Sequence, residues 1–334
     1  MGKKVALVLG SGGARGYAHI GVIEEIESRG YQIGCIAGCS IGAVIGGIHA
    51  AGKLAVYREW VTKLDYLDVM RLLDVSFSLG AIRGEKVFNR IREIVGEVDI
   101  QNLPIPFTAV ATDLTNHQEM WFQEGCLHQA MRASAAIPSL FTPVILGKRV
   151  LVDGGLLNPL PIVPVVSSHC DMIVAVNLCA SDNPHYSLPV IERPGMLAKG
   201  RFDQLMGSLS SHLTFWRKES KDEEELTEAF DVSTRTQTAT AREARGTPKS
   251  AEGSQVIDVT GPASMLELIN QSLEVMQDSL TQYKIAGYPP DVLINIPRRA
   301  CRFFEFYKAL ELIELGRIIA RDTLDRYEEE HGYP

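Results

Sequence analysis

Apolar positions in the first fifty residues follow two periods in turn. Residues 4–9 form a short apolar run that ends in Gly10-Ser11-Gly12-Gly13. Residues 17–29 then repeat apolar side chains at helical spacing through Ile20, Val22, Ile23 and Ile26, until Gly30 stops the pattern. This reads as strand, glycine loop, helix. The order recurs at 35–39, Ser40 and 41–51, where a run of small residues suits a helix lying close on a sheet. Two such units side by side predict a parallel sheet. Further strands are predicted at 107–112, 150–152, 172–177 and 292–296, and helices at 54–63, 86–95, 263–284 and 303–323. The predicted fold class is α/β, a three-layer α/β/α sandwich with a mainly parallel central sheet.

The pattern weakens between the last two strands. Residues 182–230 begin polar and proline-containing and become an amphipathic, charged helical pattern around 202–215, which reads as a lid or a surface excursion. From 231 to 255 large apolar residues nearly vanish, a composition expected of a mobile loop because it buries too little surface to offset its ordering entropy. The strand and helix that follow read as a return to the same sheet, so 1–334 is expected to be a single domain.

Composition narrows the function. A hydrophobic content of 46% supplies a substantial core, and the formal charge of −8 disfavours nucleic acid and strong docking on anionic lipid. The six cysteines contain no C-x-x-C pair, which points away from structural zinc and disulfides and towards a reducing, cytoplasmic setting. No run reaches the roughly 18 to 20 apolar residues of a membrane span, so membrane contact is expected to be peripheral.

Two loops carry candidate chemistry. Gly38-Cys39-Ser40-Ile41-Gly42 fits G-x-S-x-G between a strand and a helix, where a sharp turn presents the serine hydroxyl outwards beside the positive end of a helix dipole. Taken alone, the same motif is equally a tight turn with Ser40 as an N-cap. The loop from Gly10 to Gly16 lacks both the third glycine of a dinucleotide fingerprint, since Arg15 stands there, and the Gly-Lys-Ser/Thr of a P-loop. Its Gly12 and Gly13 are instead assigned to an oxyanion hole, with Arg15 ordering the loop or contacting an anion. A third element, Val150-Leu151-Val152-Asp153-Gly154-Gly155, ends an apolar strand with a carboxylate, so Asp153 is the candidate base. Of eight histidines, His185 and His212 come nearest to the position expected of a catalytic histidine. No cofactor and no metal is implied, because no ligand spacing or Ca²⁺-loop pattern occurs.

Together these residues resemble the patatin-like phospholipases, and within them the bacterial proteins related to the catalytic domain of neuropathy target esterase. The resemblance rests on Gly10 to Gly16 with Arg15, Gly38 to Gly42, Ala133-Ser134-Ala135-Ala136-Ile137-Pro138 with Phe141 and Pro143, and Asp153-Gly154-Gly155, in family order. It implies a patatin-like fold and a Ser-Asp dyad without histidine. It also implies a serine acyl-ester hydrolase acting on phospholipid, lysophospholipid or a related lipid ester. Ser40 would be acylated, Asp153 would take its proton, and Gly12 and Gly13 would hold the oxyanion. Phe141, with Leu140 and Ile145, is expected to line an acyl pocket. Two alternatives stand beside this reading: a lipid-binding or regulatory module with vestigial esterase activity, and a hydrolase dependent on His185 or His212.

Overall fold

The computed structural model describes residues 3–73, 84–138, 141–181, 185–191 and 265–332. They belong to one compact unit formed by Met1–Ile191 and Pro262–Pro334. Five parallel strands make its centre: β1 (Lys4–Leu9), β2 (Gln32–Cys39), β3 (Phe107–Asp113), β7 (Met172–Ala180) and β8 (Val292–Pro297), in the order β3-β2-β1-β7-β8. The β3 end continues antiparallel, with β4 (Gln118–Phe122) and β6 (Arg149–Asp153) on β3 and β5 (Val144–Leu146) on β6.

The alternation along β1 decides what covers each face. Val5, Leu7 and Leu9 enter the large core shared with α1 (Ala18–Ser28), α2 (Ile41–Ala50) and α8 (Ala309–His331). Ala6 and Val8 face the other way, onto Leu160, Ile162 and Val165, where α7 (Met265–Gly287) adds Ile285. Helices therefore lie on both faces, as the two strand-loop-helix units predict. Ile20, Ile23 and Ile26 of α1 are fully buried, each stabilising the fold by roughly 1.5–3 kcal/mol.

Several elements differ from the sequence expectation. Neither β4 nor β5 was expected, because each is a short hairpin arm carrying polar or exposed residues, and pairing across β3 and β6 forms it rather than its own pattern. Helices α4 (Tyr66–Leu73) and α6 (Leu127–Ser134) are only eight residues long, too short for a helical period to declare itself. The final helix starts at Ala309 instead of 303, since the Phe303 carbonyl takes the Ala14 amide at 2.9 Å and keeps that stretch out of the helix. The expected lid at 182–255, apart from 185–191, and the loop at 231–255 lie outside the described residues. Within 185–191, Tyr186 donates its hydroxyl to Asp322 on α8 at 3.0 Å. No helix among the described residues is long and apolar enough to cross a membrane.

Candidate active site

The site forms where β1, β2 and β6 end. Cys39 closes β2, and Ser40 follows with φ 56° and ψ −124°, a conformation that throws its side chain out of the sheet before α2 begins. The strain persists because the turn is pinned on both sides. Ser40 N–H donates to Ser134 Oγ at 2.9 Å, and that buried hydroxyl donates onward to Val110 O at 2.6 Å. On the helix side, a Cβ at Gly42 would lie 2.2 Å from Leu9 O, so the first turn of α2 rests directly on the end of β1. Ser40 occupies the N-cap position of α2 without making a side-chain cap bond.

Its hydroxyl goes elsewhere. Ser40 Oγ donates to Asp153 Oδ2 at 2.5 Å, and Gly155 N–H donates to Asp153 Oδ1 at 2.7 Å. Pairing of Ala111 on β3 with Asp153 on β6 carries the carboxylate to this end of the sheet. Burial is the largest influence on it and raises its pKa from 3.8 to about 6, while the bonds from Ser40 and Gly155 pull the other way. The Asp-Gly turn and the serine contact are thus one structure, with a different carboxylate oxygen serving each.

The glycine loop after β1 turns into the same region. Its Gly10, Ser11 and Ala14 amides bond to the carbonyls of Val176, Pro159 and Phe303, which leaves the Gly12 and Gly13 amides without a loop partner among the described residues. Gly13 has φ 57°, and a Cβ there would stand 2.7 Å from Phe303 O, so glycine is required. Arg15 is 1% exposed and its guanidinium is spent on the protein: Nε on Gly12 O at 3.1 Å, Nη1 on Arg298 O at 3.2 Å, and Nη2 on the Glu274 carboxylate. Of its two expected roles, this geometry suits loop ordering and not anion contact.

Ser40 and Gly13 line the wall of a cavity of about 90 Å³ whose other walls are almost wholly apolar, among them Val44, Tyr57, Trp60, Val69, Phe88 and Ile91. Phe141 also lines it, as expected. Ile145 does not: it lies on the short edge strand β5, where it is 65% exposed and its neighbour Leu146 is exposed as well. Leu140 lies outside the described residues. Among those described, no cluster of three or more His, Cys, Asp or Glu side chains is placed to hold a metal ion. His185 is exposed and His212 lies outside the described residues. The histidine bonded to the loop is His19, whose Nε2 meets Gly10 O at 2.9 Å; burial lowers its pKa to about 4 and keeps it neutral. All six cysteines are free.

The family profile of patatin-like phospholipases matches residues 7–166, which contain the glycine loop, Ser40 and Asp153. An uncharacterised NTE family protein of Mycobacterium tuberculosis is 40% identical over 335 residues, spanning 97% of this chain and 92% of that protein. This chain belongs to the NTE family of patatin-like phospholipases. The mouse patatin-like phospholipase domain-containing protein 6 is 30% identical over 194 residues, 56% of this chain and 14% of its own length. VipD from Legionella pneumophila shares the fold, with a TM-score of 0.50 at 14% identity over 98% of this chain and 67% of its own. Lipid-ester hydrolysis is the chemistry that goes with the patatin-like family.

Within this NTE family chain, the candidates expected from the sequence, Ser40, Asp153, Gly12, Gly13 and Arg15, fall at one end of the sheet, and the residues that brace them were not among those candidates. Ser134 was visible only as part of a small-residue motif, and Glu274 and Gln277 only as polar positions on a long helix. Replacing Ser134 with Ala removes the partner of the Ser40 amide and one bond to the Val110 carbonyl, which is expected to destabilise the fold by about 1–3 kcal/mol. A displaced Ser40 hydroxyl is expected to lower kcat by roughly 10–100-fold. Thermal unfolding and steady-state kinetics on the same preparation check both numbers.

Proposed function

We propose that this protein is a serine acyl-ester hydrolase that releases fatty acid from phospholipid, lysophospholipid or a related lipid ester through a Ser40–Asp153 dyad. The observation that carries the reading is the 2.5 Å bond from Ser40 Oγ to a buried carboxylate, with Ser40 itself in the wall of an apolar cavity. Ser40 Oγ attacks the acyl carbonyl carbon while Asp153 takes its proton. The Gly12 and Gly13 amides stabilise the negative charge on the carbonyl oxygen, a contribution of roughly 10²–10³ in rate per donor. The bond to the alcohol then breaks, and the alcohol leaves with the proton from Asp153. Water, deprotonated by the same carboxylate, attacks the acyl-serine; the bond to Ser40 Oγ breaks, Oγ takes the proton back from Asp153, and the fatty acid is freed. The apolar cavity holds the chain, so the ester reaches the serine from a peripheral contact with the lipid surface.

A base must be ionised. With the Asp153 pKa near 6, the carboxylate form is present above that pH and is lost below it. The expected kcat/KM profile is flat from about pH 7 upward and falls about tenfold per unit below pH 6. A profile with no acid limb between pH 5 and 7 would count against Asp153 as the base.

Hydrolysis of lysophosphatidylcholine and of a medium-chain p-nitrophenyl ester, with EDTA present, tests the reading. The wild type should turn over at least one of them and Ser40→Ala neither, with a loss of about 10⁴-fold or more. Activity surviving in Ser40→Ala would refute it.

A further inference from the structure

We propose that Glu274 and Gln277, one turn apart on α7, are positioning residues that set the oxyanion loop from outside the active site. The inference rests on the Ser40–Asp153 reading and deepens it. Gly12 C=O and Gly13 N–H belong to one planar trans peptide and point in opposite directions. Whatever holds the carbonyl therefore aims the amide. Arg15 Nε holds Gly12 O at 3.1 Å, and Arg15 is itself held by the Arg298 carbonyl at 3.2 Å and the Glu274 carboxylate.

Glu274 is the carboxylate that pairs with this buried cation, and its side chain is 22% exposed, so α7 reaches from the surface to the loop. Gln277 performs the neighbouring task. Its Oε1 accepts from Ser11 Oγ at 3.1 Å, while a Cβ at Gly155 would lie 2.5 Å from Gln277 Nε2, 3.0 Å from Asp153 Oδ1 and 3.1 Å from Ser11 Oγ. The amide of Gln277 is thus packed where the oxyanion loop and the Asp153 turn meet. At i and i+3 the two side chains share one face of α7. The helix is tied down further along by Lys284, which binds Glu119 at 2.7 Å, with Asn158 on the other oxygen of Glu119 at 2.8 Å. A peptide flip between Gly12 and Gly13 would turn the donor away from the carbonyl oxygen. Glu274 opposes that flip through Arg15, and Gln277 fixes the residue before it.

The test compares turnover with binding in Glu274→Gln, Gln277→Ala and the double variant Arg15→Met/Glu274→Met. A trifluoromethyl ketone bearing a fatty chain reads the oxyanion hole, and the matching fatty alcohol reads the cavity alone. Glu274→Gln is expected to lower kcat by roughly 10–100-fold with KM within about twofold, and to weaken the ketone in parallel with kcat/KM while leaving the alcohol unchanged. Gln277→Ala should act in the same direction with a smaller factor. The double variant removes both charges of the pair, so its melting temperature should recover towards wild type while kcat stays low. Wild-type kcat and ketone affinity in Glu274→Gln would overturn the inference. So would equal losses of ketone and alcohol binding, or kcat recovering together with stability in the double variant. A wild type that neither turns over ester nor binds the ketone would remove the Ser40 reading, and this inference with it.

Discussion

Asp153→Asn is expected to abolish turnover and to leave the folded protein more stable than wild type. The loss follows from removing the proposed base: asparagine that keeps Oδ1 on Gly155 N–H turns its NH2 group to Ser40, so it can neither accept the hydroxyl bond nor take the proton, and an effect of about 10⁴-fold is the scale for a group of this kind. The gain follows from the pKa. Burial raises the carboxyl from 3.8 to about 6 in the folded state. That rise of about two pH units, at ~1.4 kcal/mol each, means the ionised carboxylate destabilises the fold by roughly 3 kcal/mol. The sign is that of an acid whose folded pKa is raised. The penalty is complete above pH 6, shrinks as pH falls through 6, and is gone below the unfolded value. Asn can still accept from Gly155 N–H and meet Ser40 while carrying no charge. Melting temperatures of the two proteins should therefore differ by several degrees at pH 8 and converge near pH 4. A variant less stable than wild type at pH 8 would show that the two hydrogen bonds to the carboxylate outweigh its desolvation.

Gly42→Ala should have a large effect on folding. The new Cβ would stand 2.2 Å from Leu9 O and 2.6 Å from Leu9 C, both backbone atoms at the end of a central strand, so no side chain can rotate away. Relief requires α2 to lift from β1, which opens the core around Ala43 and Ile45 and tilts Ser40 with it. A destabilisation of about 3 kcal/mol, at the upper end for overpacking, is expected together with near-complete loss of the proposed esterase activity. Denaturant unfolding gives the first number. A protein with wild-type midpoint and activity would mean that the elbow is looser than this packing implies.

What the sequence disclosed, and what it did not, divides along a physical line. The two strand-loop-helix units were legible because period and turn chemistry are local: five apolar residues and four loop residues suffice to place β1 and its glycine loop, and G-x-S-x-G places Ser40. Asp153 was legible in the same way, as a carboxylate at the end of an apolar strand. Features that depend on distant partners were not. Ile145 has the sequence of a pocket residue, but its strand is a short edge on which Ile145 and Leu146 are both exposed, and no local signal states that a strand lies at an edge and goes uncovered. The stretch from Phe303 to Lys308 carries helical periodicity yet gives its Phe303 carbonyl to the Ala14 amide nearly three hundred residues away. Glu274 and Gln277 look like ordinary polar positions of an amphipathic helix; only their partners, 259 and 266 residues earlier in the chain, distinguish them.

The central claim is that Ser40 is a nucleophile activated by Asp153, and covalent labelling tests it most directly. The folded wild type at pH 8, treated with a fluorophosphonate, should gain the mass of one phosphonyl group, located by peptide mapping on Ser40. Ser40→Ala should gain nothing, and Asp153→Asn should react at least a hundredfold more slowly, an expectation of about 10² or more for loss of the activating base. Wild-type protein that stays unlabelled, or that is labelled on another residue while Ser40→Ala reacts equally well, would contradict the account.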